Sequence, residues 1–294
     1  MELPAAKGLI AKLQKILDGP NAKKRESAIA RLAELGRAGN KEAVAVLSRA
    51  LFDEWNFDYP EMRISIVRAL SRINSPESAK ALISAAESAG GKRAKDISLA
   101  AANALGGMKG THMITDALFR IINAKSGAFP VHDDELRAEA ARSIGRILSQ
   151  APGEYPRMVR LLGRVALSRV ESMEVKLAAI EALGNSGSSS AIKPLYSLLS
   201  GQRPLSRRQE AANPYNRQAL YASAAEALQN LSRIGAHGNA AKRALSRATQ
   251  RNEGAREAVL AIMQPSRPTG EPTIAKLVPS RQPPEAHRRR KVTA

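Results

Sequence analysis

One phrase, written six times, constrains this chain more than any other feature. Arg25-Glu-Ser-Ala-Ile-Ala-Arg-Leu32 returns as Arg63-Ile-Ser-Ile-Val-Arg-Ala-Leu70, Ser98-Leu-Ala-Ala-Ala-Asn-Ala-Leu105 and Arg137-Ala-Glu-Ala-Ala-Arg-Ser-Ile144. It comes back again as Lys176-Leu-Ala-Ala-Ile-Glu-Ala-Leu183 and Tyr221-Ala-Ser-Ala-Ala-Glu-Ala-Leu228. The closing apolar residues lie 38, 35, 39, 39 and 45 positions apart. A unit of about 40 residues cannot bury its apolar stripe alone, so such units stack on their own copies. The expected fold is all-α: a right-handed α-α superhelical solenoid of about six helix pairs.

Start and stop signals fill in each pair. An opening helix with Leu9, Ile10, Leu13, Ile16 and Leu17 on one face reads as an N-terminal cap over residues 1–20, ended by Gly19-Pro20. The first helix of each unit carries the phrase and runs to a glycine (Gly36, Gly106, Gly184), placed to close it in a left-handed turn. Second helices begin at capping residues such as Asn40 and Ser75-Pro76. Later ones are expected near Thr111–Asn123, Glu154–Arg169, Ala191–Leu199 and Asn239–Gln250. A half-unit, Ala255 to Met263, closes the stack. The solenoid thus occupies residues 1–264, with repeats over 22–263. From Pro265 to Ala294 frequent proline and scarce apolar residues predict a disordered basic tail.

The runs Glu135-Leu-Arg137-Ala-Glu-Ala-Ala-Arg-Ser-Ile-Gly145 and Glu174-Val-Lys176-Leu-Ala-Ala-Ile-Glu-Ala-Leu-Gly184 resemble HEAT repeats. They are most similar to the subtype named after phycobilisome lyases. The resemblance covers roughly residues 22–263 and specifies architecture better than function. It implies that the basic residue opening the phrase pairs with acids of neighbouring repeats, in a ladder broken at Ser98 and Tyr221. It also implies that second helices line the concave side.

The bulk composition agrees with that fold. Aromatic residues make up 3% of 294, too few for a β-sandwich core. With no cysteine there is no disulfide framework and no thiolate metal site. The N-terminus lacks the pattern of a secretion signal, and no run reaches the ~18 apolar residues of a membrane span. A cytoplasmic monomer is the expectation.

No constellation for catalysis stands out. His112, His132, His237 and His287 fall outside metal-binding spacings, and neither a nucleophile elbow nor a phosphate loop occurs. Asp133-Asp134-Glu135 sits at a helix start, where acids oppose the helix dipole. The chain reads as a non-enzyme without cofactor.

Charge is the more informative signal. The net is +19, distributed as +6 over 1–150, +8 over 151–260 and +5 from 261 onward, and the last aspartate is Asp134. Arg157, Arg160 and Arg164 share one helix face, and so do Arg243, Arg247 and Arg251, with no acid in the latter helix to neutralise them. The tail adds Arg288, Arg289, Arg290 and Lys291. Trp55, in a connector with Phe52, Phe57 and Tyr59, is a candidate anchor; the competing reading is that these aromatics pin the loop. Together these features predict a scaffold binding an acidic protein or other polyanion through a basic concave surface. A nucleic-acid backbone is the alternative ligand, and a bilin-lyase-like or chaperone-like role is the third.

Overall fold

A computed structural model describes residues 4–53, 59–88, 91–124, 134–201, 205–213, 215–234 and 237–263. All regular structure among them is helical. A capping helix α1 (Pro4–Leu17) precedes six pairs. The first helices are α2 (Ala22–Arg37), α4 (Pro60–Ile73), α6 (Gly91–Gly107), α8 (Asp134–Gln150), α10 (Met173–Asn185) and α13 (Asn216–Arg233). Their partners are α3 (Lys41–Phe52), α5 (Pro76–Glu87), α7 (His112–Asn123), α9 (Pro156–Leu167), α11 (Ile192–Leu199) and α14 (Gly238–Arg251). The final half-unit α15 (Glu253–Met263) packs on α13 and α14.

Helix starts follow the expected chemistry. The side chains of Asn21, Asn40, Ser75, Thr111 and Ser172 each accept a backbone N–H of the first turn. Prolines stand at the first position of α4, α5 and α9, where no N–H is needed. The long connector before the sixth unit holds a short helix the sequence reading did not anticipate, α12 (Arg207–Ala212). Ser206 and Gln209 cap it reciprocally.

The closing residues of the phrase, Leu32, Leu70, Leu105, Ile144, Leu183 and Leu228, are wholly buried and form the spine of one continuous core. Neighbouring first helices pack against one another far more extensively than neighbouring second helices do. The phrase explains why. A Cβ built on Gly145 would meet the Cα of Ala182 at 2.8 Å, and one on Gly184 the Cα of Ala227 at 2.7 Å. Gly106 would likewise meet the Cα of Ser143 at 2.7 Å. These glycines are therefore not left-handed helix stops. They are helical residues whose missing side chain lets the next helix approach; the left-handed turns fall to Gly39, Gly153, Gly187, Gly201 and Asn74.

First helices form the closely packed inner layer, across which a groove of about 500 Å³ spans α4, α6, α8 and α10. Second helices form the other, outer layer.

The basic slot that opens the phrase pairs with an acid of the next repeat at Arg137, which meets Glu171, and it also does something the sequence did not announce. Arg63 donates from Nε to the Leu51 carbonyl, and Arg137 from Nε and Nη2 to that of Ile122. Ser98 Oγ donates to the carbonyls of Ala85 and Ser88. In these three repeats the slot residue thus satisfies orphan carbonyls at the C-terminal end of the preceding second helix. Serine performs this task as well as arginine does, so Ser98 does not break the series. At Tyr221 the task passes elsewhere: Asn252 Nδ2 donates to the Leu199 carbonyl, and the tyrosine ring packs against Gly254. Arg25 takes a third course, stacking 4.3 Å over the ring of Tyr59 beside Met62.

Candidate interaction surface

The outer layer carries the arginines. On α9, Met158, Val159, Leu161, Leu162, Val165 and Ala166 are buried, which turns Arg157, Arg160 and Arg164 outward. Arg157 is not free of counterions. Its guanidinium stacks 4.3 Å over the ring of Phe119, and Nη1 lies 3.5 Å from Asp116 of α7. Arg160 and Arg164 have no such partner among the described residues.

On α14 the alanines Ala241, Ala244 and Ala248 face the core and leave Arg243, Arg247 and Arg251 exposed together with Lys242. The helix contains no acid. Arg251 donates from Nη1 to the Tyr196 hydroxyl at 3.2 Å, a neutral partner. Arg243 and Arg247 meet no carboxylate among the described residues. Trp55, Arg288, Arg289, Arg290 and Lys291 lie outside the described residues, as do Phe57, His132, Asp133, His287 and the tail. Of the aromatic connector, Phe52 and Tyr59 remain, each 39% exposed, and Tyr59 is held by its stacking with Arg25.

Part of the charge in the inner groove is paired. Glu139 accepts from Asn103 Nδ2 at 2.7 Å and from Arg146 at 2.9 Å, with Arg142 at 3.3 Å; Arg142 also approaches Glu181 at 3.8 Å. Lys95 pairs with Glu135 at 2.6 Å. Glu135, Glu139 and Glu181 each find a base on their own or an adjoining helix, whereas Glu174 and Arg68 of the same groove meet no opposite charge among the described residues.

Where α7, α8, α9, the turn before α10 and α12 meet, a cleft of about 1350 Å³ opens. It brings Arg164 together with Arg169 and Arg208, beside Leu161, Val165 and Val170. Sequence reasoning missed this cluster because Arg208 lies 39 residues beyond Arg169, on a different element. The one signal was the Arg207-Arg208 pair within the long connector.

Beneath the cleft, Arg137 grips Glu171 while burial pushes the Lys176 ammonium down to about 8, against the attraction of Glu171. Lys176 Nζ donates to Gln209 Oε1, and Gln209 Nε2 donates to the Glu171 carbonyl at 2.6 Å, which fastens α12 to the stack. No group of histidines and acids among the described residues can hold a metal ion. Nor is any described helix long and apolar enough to cross a membrane.

The family comparisons fit this architecture. The profile of HEAT repeats matches residues 10–103, and that of the PBS lyase HEAT-like repeat matches residues 175–201. The two matched segments support a HEAT-repeat protein whose repeats resemble the PBS lyase HEAT-like subfamily. No curated protein sequence matches the chain. Among solved structures, an engineered protein is similar at 21% identity and a TM-score of 0.38, covering 77% of this chain and 97% of its own. Human deoxyhypusine hydroxylase in complex with glycerol is similar at 17% identity and 0.40, covering 87% and 95%. Computationally designed armadillo repeat proteins for modular peptide recognition give 18% and 0.35, covering 85% and 99%. At these identities and scores nothing about binding or catalysis is carried over. Solenoids of the HEAT and armadillo type commonly serve as protein-interaction scaffolds.

Proposed function

We propose that the protein is a non-catalytic adaptor that holds an acidic segment of a partner protein against the arginines of its outer helices. One observation carries the reading: α14 presents Arg243 and Arg247 on one exposed face with no carboxylate near them among the described residues. A guanidinium already paired has little left to offer a ligand, whereas an unpaired one retains its whole fork of donors. Arg160 and Arg164 repeat the arrangement on α9. The reading places the site on the second-helix face, where the arginines stand together without acids, instead of in the groove of the first helices, where Arg142 and Arg146 already meet Glu139. Phosphate backbones suit arginines at four-residue spacing too, so nucleic acid is the competing ligand.

Fluorescence anisotropy separates the two. A glutamate-rich peptide is titrated beside random duplex DNA and RNA, in salt from about 50 to about 200 mM. The adaptor reading predicts peptide binding that persists at the higher salt and weakens about tenfold in Arg243→Glu with Arg247→Glu. Tighter duplex binding, falling linearly in log affinity against log salt, favours nucleic acid instead. No peptide binding even at low salt ends the adaptor reading.

A further inference from the structure

Resting on the adaptor reading, we infer that the cleft between α9, the turn before α10 and α12 is the specificity subsite. It seats an aliphatic side chain of the acidic segment on Val170, flanked by carboxylates held by Arg164 and Arg208.

Three features make this cleft unlike the rest of the outer face. It joins the basic surface to a sizeable concavity among the described residues, about 1350 Å³, whereas α14 presents its arginines as a stripe along one helix face. Its arginines come from different elements, Arg164 from α9 and Arg208 from α12, so they converge on a volume where a single helix face would only line a row. Neither has an ion pair among the described residues.

The third feature is apolar. Val170 is 95% exposed at the tip of a short inter-helix turn, beside Leu161 and Val165 of the same cleft. A β-branched side chain held in water gains by burial against an apolar ligand group. The turn itself is well anchored. Ser172 caps α10, and Glu171 is fixed by Arg137 and Gln209. A subsite built on a fixed turn loses little order when a ligand arrives.

Charge selects the occupant. The chain's own residues 264–294 carry seven bases (Arg267, Lys276, Arg281, Arg288, Arg289, Arg290, Lys291) against Glu271 and Glu285, so like charge disfavours the tail in this cleft. An acidic segment of another protein, with a leucine or valine between its acids, meets both the arginines and Val170.

The test uses the full chain and two peptides differing at one position, glutamates flanking a leucine and the same peptide with serine there. Val170, Arg164 and Arg208 are exposed, so their replacement leaves the core intact. The inference predicts that the leucine peptide binds about tenfold more tightly than the serine one. Val170→Ser abolishes that preference, and Arg164→Glu with Arg208→Glu weakens both peptides. Because the chain has no cysteine, Val170→Cys carrying an environment-sensitive fluorophore reports seating directly, and its emission shifts when the leucine peptide is added. Equal binding of the two peptides, unaffected by these variants yet weakened by Arg243→Glu with Arg247→Glu, overturns the cleft and leaves the adaptor reading standing. Binding of neither peptide by the unaltered chain overturns both.

Discussion

Arg137 and Glu171 meet as two forks, Nη1 lying 2.5 Å from Oε1 and Nη2 2.6 Å from Oε2. The pair joins α8 to the turn before α10, and both side chains are largely buried, 16% and 13% exposed. The same guanidinium donates to the Ile122 carbonyl, so one residue links three elements. Glu171→Ala leaves that cation half-buried without its fork and is expected to cost about 3 kcal/mol. Glu171→Gln, which keeps an acceptor, costs less. Urea unfolding midpoints measure both; equal midpoints for Glu171→Ala and the parent contradict the assignment.

Glycine in the phrase is a packing device, and two substitutions separate that role from helix propensity. Gly145→Ala places a methyl 2.8 Å from Ala182 Cα on the adjoining helix. The strain outweighs alanine's better propensity, for a net loss of about 1–2 kcal/mol. Gly8→Ala, in α1 with nothing within 4 Å, gains up to about 1 kcal/mol. Thermal melts of the two variants should move in opposite directions.

Lys176 makes stability depend on pH. Burial lowers its folded value to about 8 from 10.5. Below 8 the ammonium is protonated whether folded or not, and the full penalty of burying it is present. Between the two values the unfolded chain holds a proton the folded chain has shed, so stability rises with pH. Above 10.5 the dependence levels off. Lys176→Met is expected to remove this rise and to raise stability near pH 7, as apolar replacement of a buried charge often does. Chemical denaturation of parent and variant at pH 7 and near pH 10 tests it, and an unchanged difference between the two pH values counts against the role.

Ser98 substitutes a short donor where other copies carry a long cation. Ser98→Ala removes the hydroxyl that the Ala85 and Ser88 carbonyls share, leaving Ala85 with the Ser88 hydroxyl alone. The expected cost is about 1 kcal/mol, with faster hydrogen exchange in the last turn of α5. Unchanged exchange there contradicts the capping role.

Periodicity made the stack legible because apolar spacing and caps are local: Leu32, Leu70 and Leu105 announce the spine, while Asn40 and Ser75 announce the starts. The close packing of the first helices was not legible. It depends on how closely Gly145 lets Ala182 approach, a relation between residues in different repeats. Capping by the basic slot was hidden for the same reason, since Arg63 and Leu51 belong to different helices. The arginine faces of α9 and α14 were visible as spacing, but Phe119 and Asp116, which occupy Arg157, were not. The cleft was least visible of all, because Arg164, Val170 and Arg208 share no local pattern.

Charge reversal addresses the central claim most directly. The affinities of a glutamate-rich and a lysine-rich peptide are measured on the parent chain and on Arg243→Glu with Arg247→Glu. If unpaired arginines of the outer helices hold an acidic partner, the variant loses the glutamate peptide about tenfold and gains affinity for the lysine peptide. A variant that binds both peptides as the parent does contradicts the account.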